Sequence, residues 1–312
     1  MKNIDLRQKD SLKELLTLKD SSVNLIIADP PYNLGKNYGN SSDKKSKEEY
    51  LEFTRFWLKE AVRVLRDNGT IYIFMGVRFI SYLYLILEEE FKLDFKAWIV
   101  WHYTQGMGKT KSFSPRHDDI LMFSKGRQHC FNLDNVRIPQ KYYRQRNNMR
   151  GANPGDVWEF SHIHYSNPNR KAHPTQKPEG LIERLVLASS NENDIVLDPF
   201  SGSGTTARVC QQLMRKFIGF ELNSDYIDMT KERLEDKFVS FDSIDPRSKR
   251  VPNDLRKEKI RNTYLKNHIK WFLSNHKNAY DDFRKDVLKK YGVDIQYIER
   301  DTIETFDLFA DN

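Results

Sequence analysis

The stretch IVLDPFSGSGTT, residues 195–206, decides the fold. Its apolar start predicts a buried strand that ends at Asp198, and the loop that follows carries Gly202 and Gly204. The glycines allow the backbone to approach a ligand, and a helix is predicted to begin near Thr205 with its N-terminus at the same loop. This strand–loop–helix order is the building unit of an open α/β sheet. A Gly-x-Gly loop alone is equally typical of a tight turn without a ligand.

The surroundings of this loop indicate what kind of ligand it would bind. No lysine follows the last glycine, as a phosphate-binding loop requires, and the third glycine of the dinucleotide motif is missing. The next predicted strand ends at Glu221, 17 residues after Gly204. A carboxylate at that position is the expected partner of two ribose hydroxyls. The sequence therefore indicates a ribose-bearing ligand without a pyrophosphate.

A second strand, VNLIIA at residues 23–28, runs directly into Asp29-Pro30-Pro31-Tyr32. The prolines fix φ and remove N–H donors, so the turn presents its carbonyls in one pose. An exocyclic amine with two hydrogens needs two acceptors, which the Asp29 carboxylate and the Pro30 carbonyl could supply. Tyr32 offers a face on which a base could stack. The alternative is a proline-kinked strand exit with a packed tyrosine.

Strands and helices alternate along most of the chain, which predicts an α/β fold with a doubly wound, mostly parallel sheet. Predicted strands are residues 23–29, 70–75, 95–101, 119–124, 194–199 and 217–220, and predicted helices are residues 10–18, 48–66, 78–90, 178–189, 204–214 and 225–237. Three segments interrupt the alternation. Residues 33–47 form a polar loop, residues 125–172 show no clean period, and residues 241–312 form a basic, helical tail.

Composition indicates the class of partner. Lys plus Arg total 51 against 44 for Asp plus Glu, a net charge of +7, which suits a polyanion. Residues 125–172 hold nine basic and three acidic side chains, so much of that charge lies in one segment. The chain has two cysteines, and neither has a partner nearby in the sequence, which argues against a disulfide framework or a cysteine-based metal site. No metal ligands are predicted. Without a signal peptide or a long apolar run, the expectation is a soluble, cytoplasmic protein with no membrane contact.

Three motifs together resemble those of the amino-directed DNA methyltransferases that use S-adenosylmethionine. They are Asp29–Tyr32, the segment 173–178 (HPTQKP), and Asp198–Gly204. With the catalytic motif first and the cofactor motif last, the order is similar to that of the permuted β subgroup, and the resemblance covers residues 3–238. It implies a Rossmann-like methyltransferase fold. An aspartate at the head of the catalytic motif, where cytosine-N4 members usually have serine, favours adenine N6 as the acceptor.

The resemblance also implies roles for matching positions. Asp29, Pro30, Pro31 and Tyr32 would be catalytic, with direct transfer of the methyl group to a flipped-out adenine. Phe200 would lie against the adenine of the cofactor and Glu221 would hold its ribose. The remaining residues implied to bind the cofactor are Asp10, Asp29, Thr175, Lys177, Asp198, Gly202, Ser203, Gly204 and Thr205, with Thr175 and Lys177 reaching its carboxylate.

Target recognition is predicted in residues 125–172, between two halves of the methyltransferase domain at residues 1–124 and 173–240. The candidates for contact with double-stranded DNA are Lys36, Arg137, Arg144, Arg146, Asn147 and Arg150. Residues 241–312 form the predicted extension, whose purpose the sequence leaves open between DNA, a dimer contact and another partner. A cognate restriction endonuclease is a further partner that the resemblance allows.

Alternatives to an adenine-N6 DNA methyltransferase stay open at this point. A cytosine-N4 DNA methyltransferase would use the same amine chemistry, and so would an RNA adenine-N6 methyltransferase, although no RNA-binding module is recognisable. A DNA-binding subunit without catalysis would have no need of Asp29, Tyr32 and Gly204. A C5-cytosine enzyme is rejected because neither Cys130 nor Cys210 lies in a Pro-Cys context.

Overall fold

The computed structural model describes residues 3–35, 44–103, 108–138, 152–160 and 176–235, together with Lys285. The chain divides into two compact units. The first comprises Met1–Phe131 and Gly155–Asp236, and the second comprises Asn132–Pro154 and Lys237–Asn312. Within the described part of the second unit lie one short helix and an antiparallel bridge between Ile138 and Ala152.

The first unit is an α/β sheet flanked by helices. Its strands are β1 (Ile4–Gln8), β2 (Val23–Ala28), β3 (Leu65–Met75), β4 (Asp94–His102), β5 (His117–Ser124), β6 (Val157–Glu159), β7 (Ile195–Asp198) and β8 (Lys216–Glu221). The named helices in the described ranges are α1 (Ser11–Leu15), α2 (Lys47–Val64), α3 (Ile80–Leu85) with a π-helical turn at Ile86–Glu90, α4 (Leu133–Val136) in the second unit, α5 (Glu179–Ser189), α6 (Thr205–Gln212) and α7 (Ser224–Glu235).

The strand order is β1-β8-β7-β2-β3-β5-β4-β6. The first five strands are parallel to one another, β5 is antiparallel to both β3 and β4, and β6 is parallel to β4. The predicted mostly parallel α/β sheet is therefore confirmed. The carboxyl ends of β2, β7 and β8 meet at one edge, which is where open α/β sheets bind ligands.

Helices cover both faces of the sheet, as a doubly wound fold requires. Because successive strand residues point to opposite faces, Ile71 and Ile73 of β3 join the core that contains Trp57 of α2. Tyr72, between them, points the other way, and its hydroxyl lies 2.7 Å from the Ser189 hydroxyl of α5. Helices α2 and α5 therefore pack on opposite faces.

Three features differ from the sequence-based expectation. Strands β1 and β6 were not predicted, and both are the outermost strands, where short stretches with charged residues give a weak pattern. Strand β6 also draws part of the predicted recognition segment 125–172 into the sheet. Residues 67–69, which separate the predicted helix 48–66 from the predicted strand 70–75, lie inside β3. There β2 advances from Val23 to Leu25 while β3 advances from Leu65 to Thr70, so the extra residues of β3 form an irregularity. No helix in the described ranges is long and apolar enough to cross a membrane.

Candidate active site

A cavity of about 320 Å³ lies at the edge of the sheet where β2, β7 and β8 end. Twelve of the residues predicted to bind or react line it, namely Asp10, Asp29, Pro30, Pro31, Tyr32, Lys177, Asp198, Phe200, Gly202, Ser203, Thr205 and Glu221. Parallel pairing of β2 with β7, and of β7 with β8, brings these distant segments together. The catalytic tetrapeptide and the glycine loop therefore share one cavity.

The two oxygens of the Asp29 carboxylate have different surroundings. Oδ2 accepts a hydrogen bond from the Lys177 ammonium in an ion pair. Oδ1 is buried and has no hydrogen-bond partner within the described residues. A buried acceptor without a donor costs free energy unless a ligand or water supplies one. Next to it, the Pro31 carbonyl accepts from the Tyr50 hydroxyl at 2.7 Å, which fixes the turn.

Lys177 points toward the catalytic tetrapeptide. Its ammonium lies 5.6 Å from the ring centre of Tyr32, 5.2 Å from that of Phe74 and 5.9 Å from that of Trp101. Only 8% of the residue is exposed. Aromatic faces attract a desolvated cation, so they stabilise the ammonium where it meets Asp29. The role that the resemblance implies for Lys177, reaching the cofactor's carboxylate, stays a prediction.

Asp198 is buried at the end of β7. It accepts hydrogen bonds from the Phe200 backbone N–H at 3.0 Å and from the Thr206 hydroxyl at 2.6 Å. Burial raises the pKa of Asp198 to about 7, helped by the nearby charges of Asp29 and Glu221, although both hydrogen bonds act in the opposite direction. A bound cation in this cavity would favour the ionised carboxylate.

Glu221 closes the glycine loop from β8. Its two carboxylate oxygens accept from the Gly202 backbone N–H at 2.9 Å and from the Asn223 backbone N–H at 2.8 Å. Burial raises its pKa above the ordinary value for glutamate. The Leu222 backbone N–H also interacts with this carboxylate. A carboxylate offers about four lone-pair sites, so Glu221 still has room for a donor such as a ribose hydroxyl.

Asp10 and Ser11 attach the first helix to this edge. The Asp10 carboxylate caps α1 by accepting from the Leu12 N–H at 2.8 Å and the Lys13 N–H at 3.3 Å. The Ser11 hydroxyl donates to the Pro199 carbonyl, next to the glycine loop. Asp10 thus has a structural task in addition to lining the cavity.

Gly204 is a predicted cofactor residue that does not line the cavity. It precedes α6 in the left-handed region with φ of 72°, and a Cβ there would overlap the Thr230 side chain. Its role in the structure is therefore conformational, since only glycine fits both the backbone and the space.

A buried cluster of charges supports the glycine loop from behind. Glu179 pairs with Arg208 and with Arg233, each at 2.9 Å. The Arg233 guanidinium also donates to the Ser203 carbonyl and to the Thr205 hydroxyl. Because Ser203 and Thr205 line the cavity, Arg233 fixes their positions without reaching the ligand space itself.

Several lining residues were missed by sequence reasoning: Ser11, Leu12, Ile27, Lys45, Tyr50, Phe53, Phe74, Ile182, Ser201, Thr206, Phe220, Leu222 and Tyr226. Most of them are apolar. Apolar periodicity predicts the buried face of α2, which carries Tyr50 and Phe53, but it does not distinguish residues that line the pocket from residues of the core. Phe53 and Trp57 both pack against Phe200, with ring centres 6.3 Å and 5.4 Å away.

Of the residues predicted to contact DNA, one, Arg137, lies in the described ranges. Arg137 forms an ion pair with Asp134 at 2.5 Å, and 16% of its side chain is exposed. Lys36, Arg144, Arg146, Asn147 and Arg150 lie outside the described residues, as does Thr175. Their assignments stay predictions.

The fold and the cavity define a class of protein, the Rossmann-like methyltransferases that act on amino groups. Residues 23–232 match the family model for the N6 and N4 type, described as DNA methylase, and the chain belongs to that family. The resemblance stated from the three motifs is confirmed.

Two relatives show how close the likeness is. The chain is 59% identical over 283 residues to Type II methyltransferase M.HpaI of Haemophilus parainfluenzae, covering 90% of each chain. It is 38% identical over 239 residues to DNA adenine methyltransferase YhdJ of Escherichia coli K12, covering 72% of this chain and 81% of that protein.

Solved structures show the same fold. The M1.HpyAVI–SAM complex is 28% identical, with a TM-score of 0.55, and the match covers 74% of this chain and 98% of that one. The PvuII DNA methyltransferase, described as cytosine-N4-specific, is 20% identical with a TM-score of 0.63 over 85% of this chain and 92% of that one. At that identity the second likeness concerns the fold alone.

Proposed function

We propose that this DNA methyltransferase transfers a methyl group from S-adenosylmethionine to the N6 amine of an adenine flipped out of double-stranded DNA, at one short sequence. The observation that carries the proposal is the buried Oδ1 of Asp29, which has no hydrogen-bond partner in the described part of the chain and belongs to a side chain that lines the same cavity as the glycine loop. A donor from beyond the described residues would satisfy this oxygen, and an exocyclic amine supplies one.

The donor set of the cavity fits the cofactor. The Glu221 carboxylate has room left for a ribose hydroxyl, and Phe200 offers an aromatic face for the adenine ring. The carboxylates of Asp198 and Asp29 suit a sulfonium. When bound, S-adenosylmethionine supplies a methyl group on a positively charged sulfur, and the bond between them breaks with its electron pair left on sulfur.

The chain's own residues would prepare the amine. Asp29 Oδ1 accepts one N6 hydrogen and the Pro30 carbonyl accepts the other, which draws the nitrogen out of conjugation and directs its lone pair toward the methyl group. Tyr32 stacks on the base. As the N–C bond forms, N6 gives up one proton to Asp29 or to water. Catalysis rests on positioning and electrostatics, without a covalent enzyme intermediate.

Adenine is proposed over cytosine for two reasons. An aspartate heads the catalytic motif, and the relative YhdJ is a DNA adenine methyltransferase. Because M.HpaI is a Type II methyltransferase, we further propose that this chain acts in the cytoplasm within a restriction–modification system, with a cognate endonuclease as partner.

The division of labour along the chain is part of the same proposal. Residues 1–124 carry the catalytic half and 173–240 the cofactor half, while the basic segment 125–172 reads the target. The DNA contacts proposed there are Arg137, Arg144, Arg146, Asn147 and Arg150, with Lys36 in the loop after the catalytic motif. Residues 241–312 are proposed as an additional basic helical extension.

Mass spectrometry of the product tests the proposal. The purified protein is incubated with bacterial genomic DNA and deuterium-labelled S-adenosylmethionine, and the DNA is digested to nucleosides. Labelled N6-methyldeoxyadenosine is expected. Labelled N4-methyldeoxycytidine would overturn the acceptor, and label that appears only when total RNA replaces the DNA would overturn the substrate.

A further inference from the structure

The loop between β4 and β5 carries a large apolar side chain that touches almost nothing. Phe113 is 98% exposed, whereas the next most exposed large apolar residue in the described ranges, Val77, is 59% exposed. Leaving a phenylalanine in water rather than burying it is unfavourable. A single exposed apolar residue needs no special explanation, so its surroundings decide whether it has a function.

This loop emerges beside the candidate active site. Strands β4 and β5 pair up to His102 and His117, and the Tyr103 N–H donates to the Arg116 carbonyl at 2.9 Å. Since β5 is antiparallel to β3, it begins at the edge where β3 ends, with Met75 opposite Asp119. At that edge the Trp101 ring of β4 lies 5.9 Å from the Lys177 ammonium, which pairs with Asp29.

Charge around Phe113 complements a polyanion. Lys109 and Lys111 are both exposed, and Arg116 follows on the other side. The Lys109 N–H donates to the Ser114 hydroxyl at 2.8 Å, which ties the two sides of the turn together around Phe113.

The nearest carboxylates of this edge are engaged by aromatic side chains. Asp118 accepts from the Tyr103 hydroxyl at 3.3 Å, and Asp119 accepts from the Trp98 indole at 2.8 Å.

We propose that Phe113 enters the DNA duplex at the step emptied by the flipped base and stacks there, while Lys109 and Lys111 contact the flanking phosphates. The proposal rests on the proposed function and assigns a DNA site outside the segment 125–172. An apolar side chain between base steps compensates for part of the stacking lost on flipping, and basic residues give affinity independent of sequence. Sequence reasoning did not identify this loop as a DNA site, because the segments on either side of it were interpreted only as strands of the sheet.

The test compares two DNA duplexes that contain the sequence motif that this protein methylates. In one the target adenine is paired with thymine, and in the other it faces an abasic site, so that flipping it costs less. The variants are Phe113→Ala and Phe113→Trp, and the control is Phe56→Ala, which removes another exposed phenylalanine, on α2. The readout is the single-turnover methylation rate.

We expect Phe113→Ala to lose roughly tenfold or more in rate on the paired duplex and to recover to within about threefold of wild type opposite the abasic site. Phe113→Trp and Phe56→Ala should match wild type on both. An unchanged rate of Phe113→Ala on the paired duplex overturns the proposal, and so does an equal loss on both duplexes. If the proposed function itself is wrong, the wild-type protein methylates adenine on neither duplex, which is a different result.

Discussion

The Lys177 ammonium and the Asp29 carboxylate form an ion pair between residues 148 positions apart in the chain. The pair occupies Oδ2 and leaves Oδ1 as a buried acceptor without a hydrogen-bond partner among the described residues, on a side chain that lines the cavity. Lys177 thereby orients the carboxylate that is proposed to hold the target amine. Its neighbour Pro178 precedes α5, so the start of that helix is coupled to the catalytic tetrapeptide.

Lys177→Met tests whether this lysine serves the target base or the cofactor. Removing the charged partner leaves Asp29 free to rotate and forfeits a charge-assisted hydrogen bond, which contributes about 1.5–3 kcal/mol. The expected result is a single-turnover rate lowered by roughly 10- to 100-fold. Cofactor affinity, measured by calorimetry, should stay within about threefold of wild type. A large loss of cofactor affinity with an unchanged rate would instead support the cofactor-carboxylate role implied by the family resemblance.

The raised pKa of Asp198, about 7, predicts a pH-dependent cofactor affinity. A bound sulfonium favours the carboxylate and lowers this pKa, so binding releases a proton and tightens as pH rises. Between pH 6 and pH 8 the gain should approach about tenfold. Calorimetry in two buffers of different ionisation enthalpy measures both quantities. Asp198→Asn should remove the pH dependence, and a wild-type affinity that is flat over this range would contradict the assignment.

The same group should affect stability in the opposite sense. Because the pKa of Asp198 in the folded protein lies above its ordinary value, folding favours the protonated form. Its contribution to stability is therefore greatest at low pH and is lost as pH rises to about 7. Without cofactor, Asp198→Asn should gain free energy of unfolding relative to wild type at pH 8 and much less at pH 5, as denaturant titration would show.

Arg233 is predicted to set cofactor affinity through the glycine loop. In Arg233→Met the Ser203 carbonyl and the Thr205 hydroxyl lose a shared donor, and the loop can move away from its binding position. Cofactor affinity should fall by roughly tenfold or more, given that a hydrogen bond to a charged group contributes about 1.5–3 kcal/mol.

Arg215→Met is the matched control for that substitution. Arg215 is also buried, but its guanidinium donates to the Ser190 and Leu213 carbonyls, and it does not line the cavity. Its loss should lower the thermal midpoint while leaving the affinity of the folded protein unchanged. If Arg233→Met fails to fold, Arg233→Lys keeps the charge and provides the affinity measurement. Equal affinity losses in the Arg233 and Arg215 variants would mean that general destabilisation is responsible.

Comparison of Gly204→Ala with Gly35→Ala distinguishes the cost of backbone strain from the cost of steric overlap. Gly204 and Gly35 have nearly the same φ, 72° and 74°, but a Cβ at Gly204 overlaps Thr230, whereas a Cβ at Gly35 meets no described residue within 4 Å. Gly35→Ala should therefore cost only the strain of the left-handed region, about 1 kcal/mol, and Gly204→Ala distinctly more. Thermal unfolding measures both, and equal costs would show that Thr230 moves aside.

Strand-end carboxylates made much of the site predictable. Asp29, Asp198 and Glu221 each follow or end a recognisable apolar run, and parallel strands bring their carboxyl ends to one edge. The Lys177–Asp29 pair was not predictable, because its partners belong to segments that only the folded sheet brings together. Tyr50 shows a different limit, since apolar periodicity identifies a buried helix face without saying whether it faces core or cavity.

Modification-sensitive, single-molecule sequencing of DNA from cells that express this chain tests the central claim most directly, with Asp29→Ala beside it. The account predicts N6-methyladenine at every copy of one short motif, and no mark in cells that contain equal amounts of folded Asp29→Ala protein. The same marks from the folded variant would contradict the role of Asp29, and N4-methylcytosine in place of N6-methyladenine would contradict the acceptor.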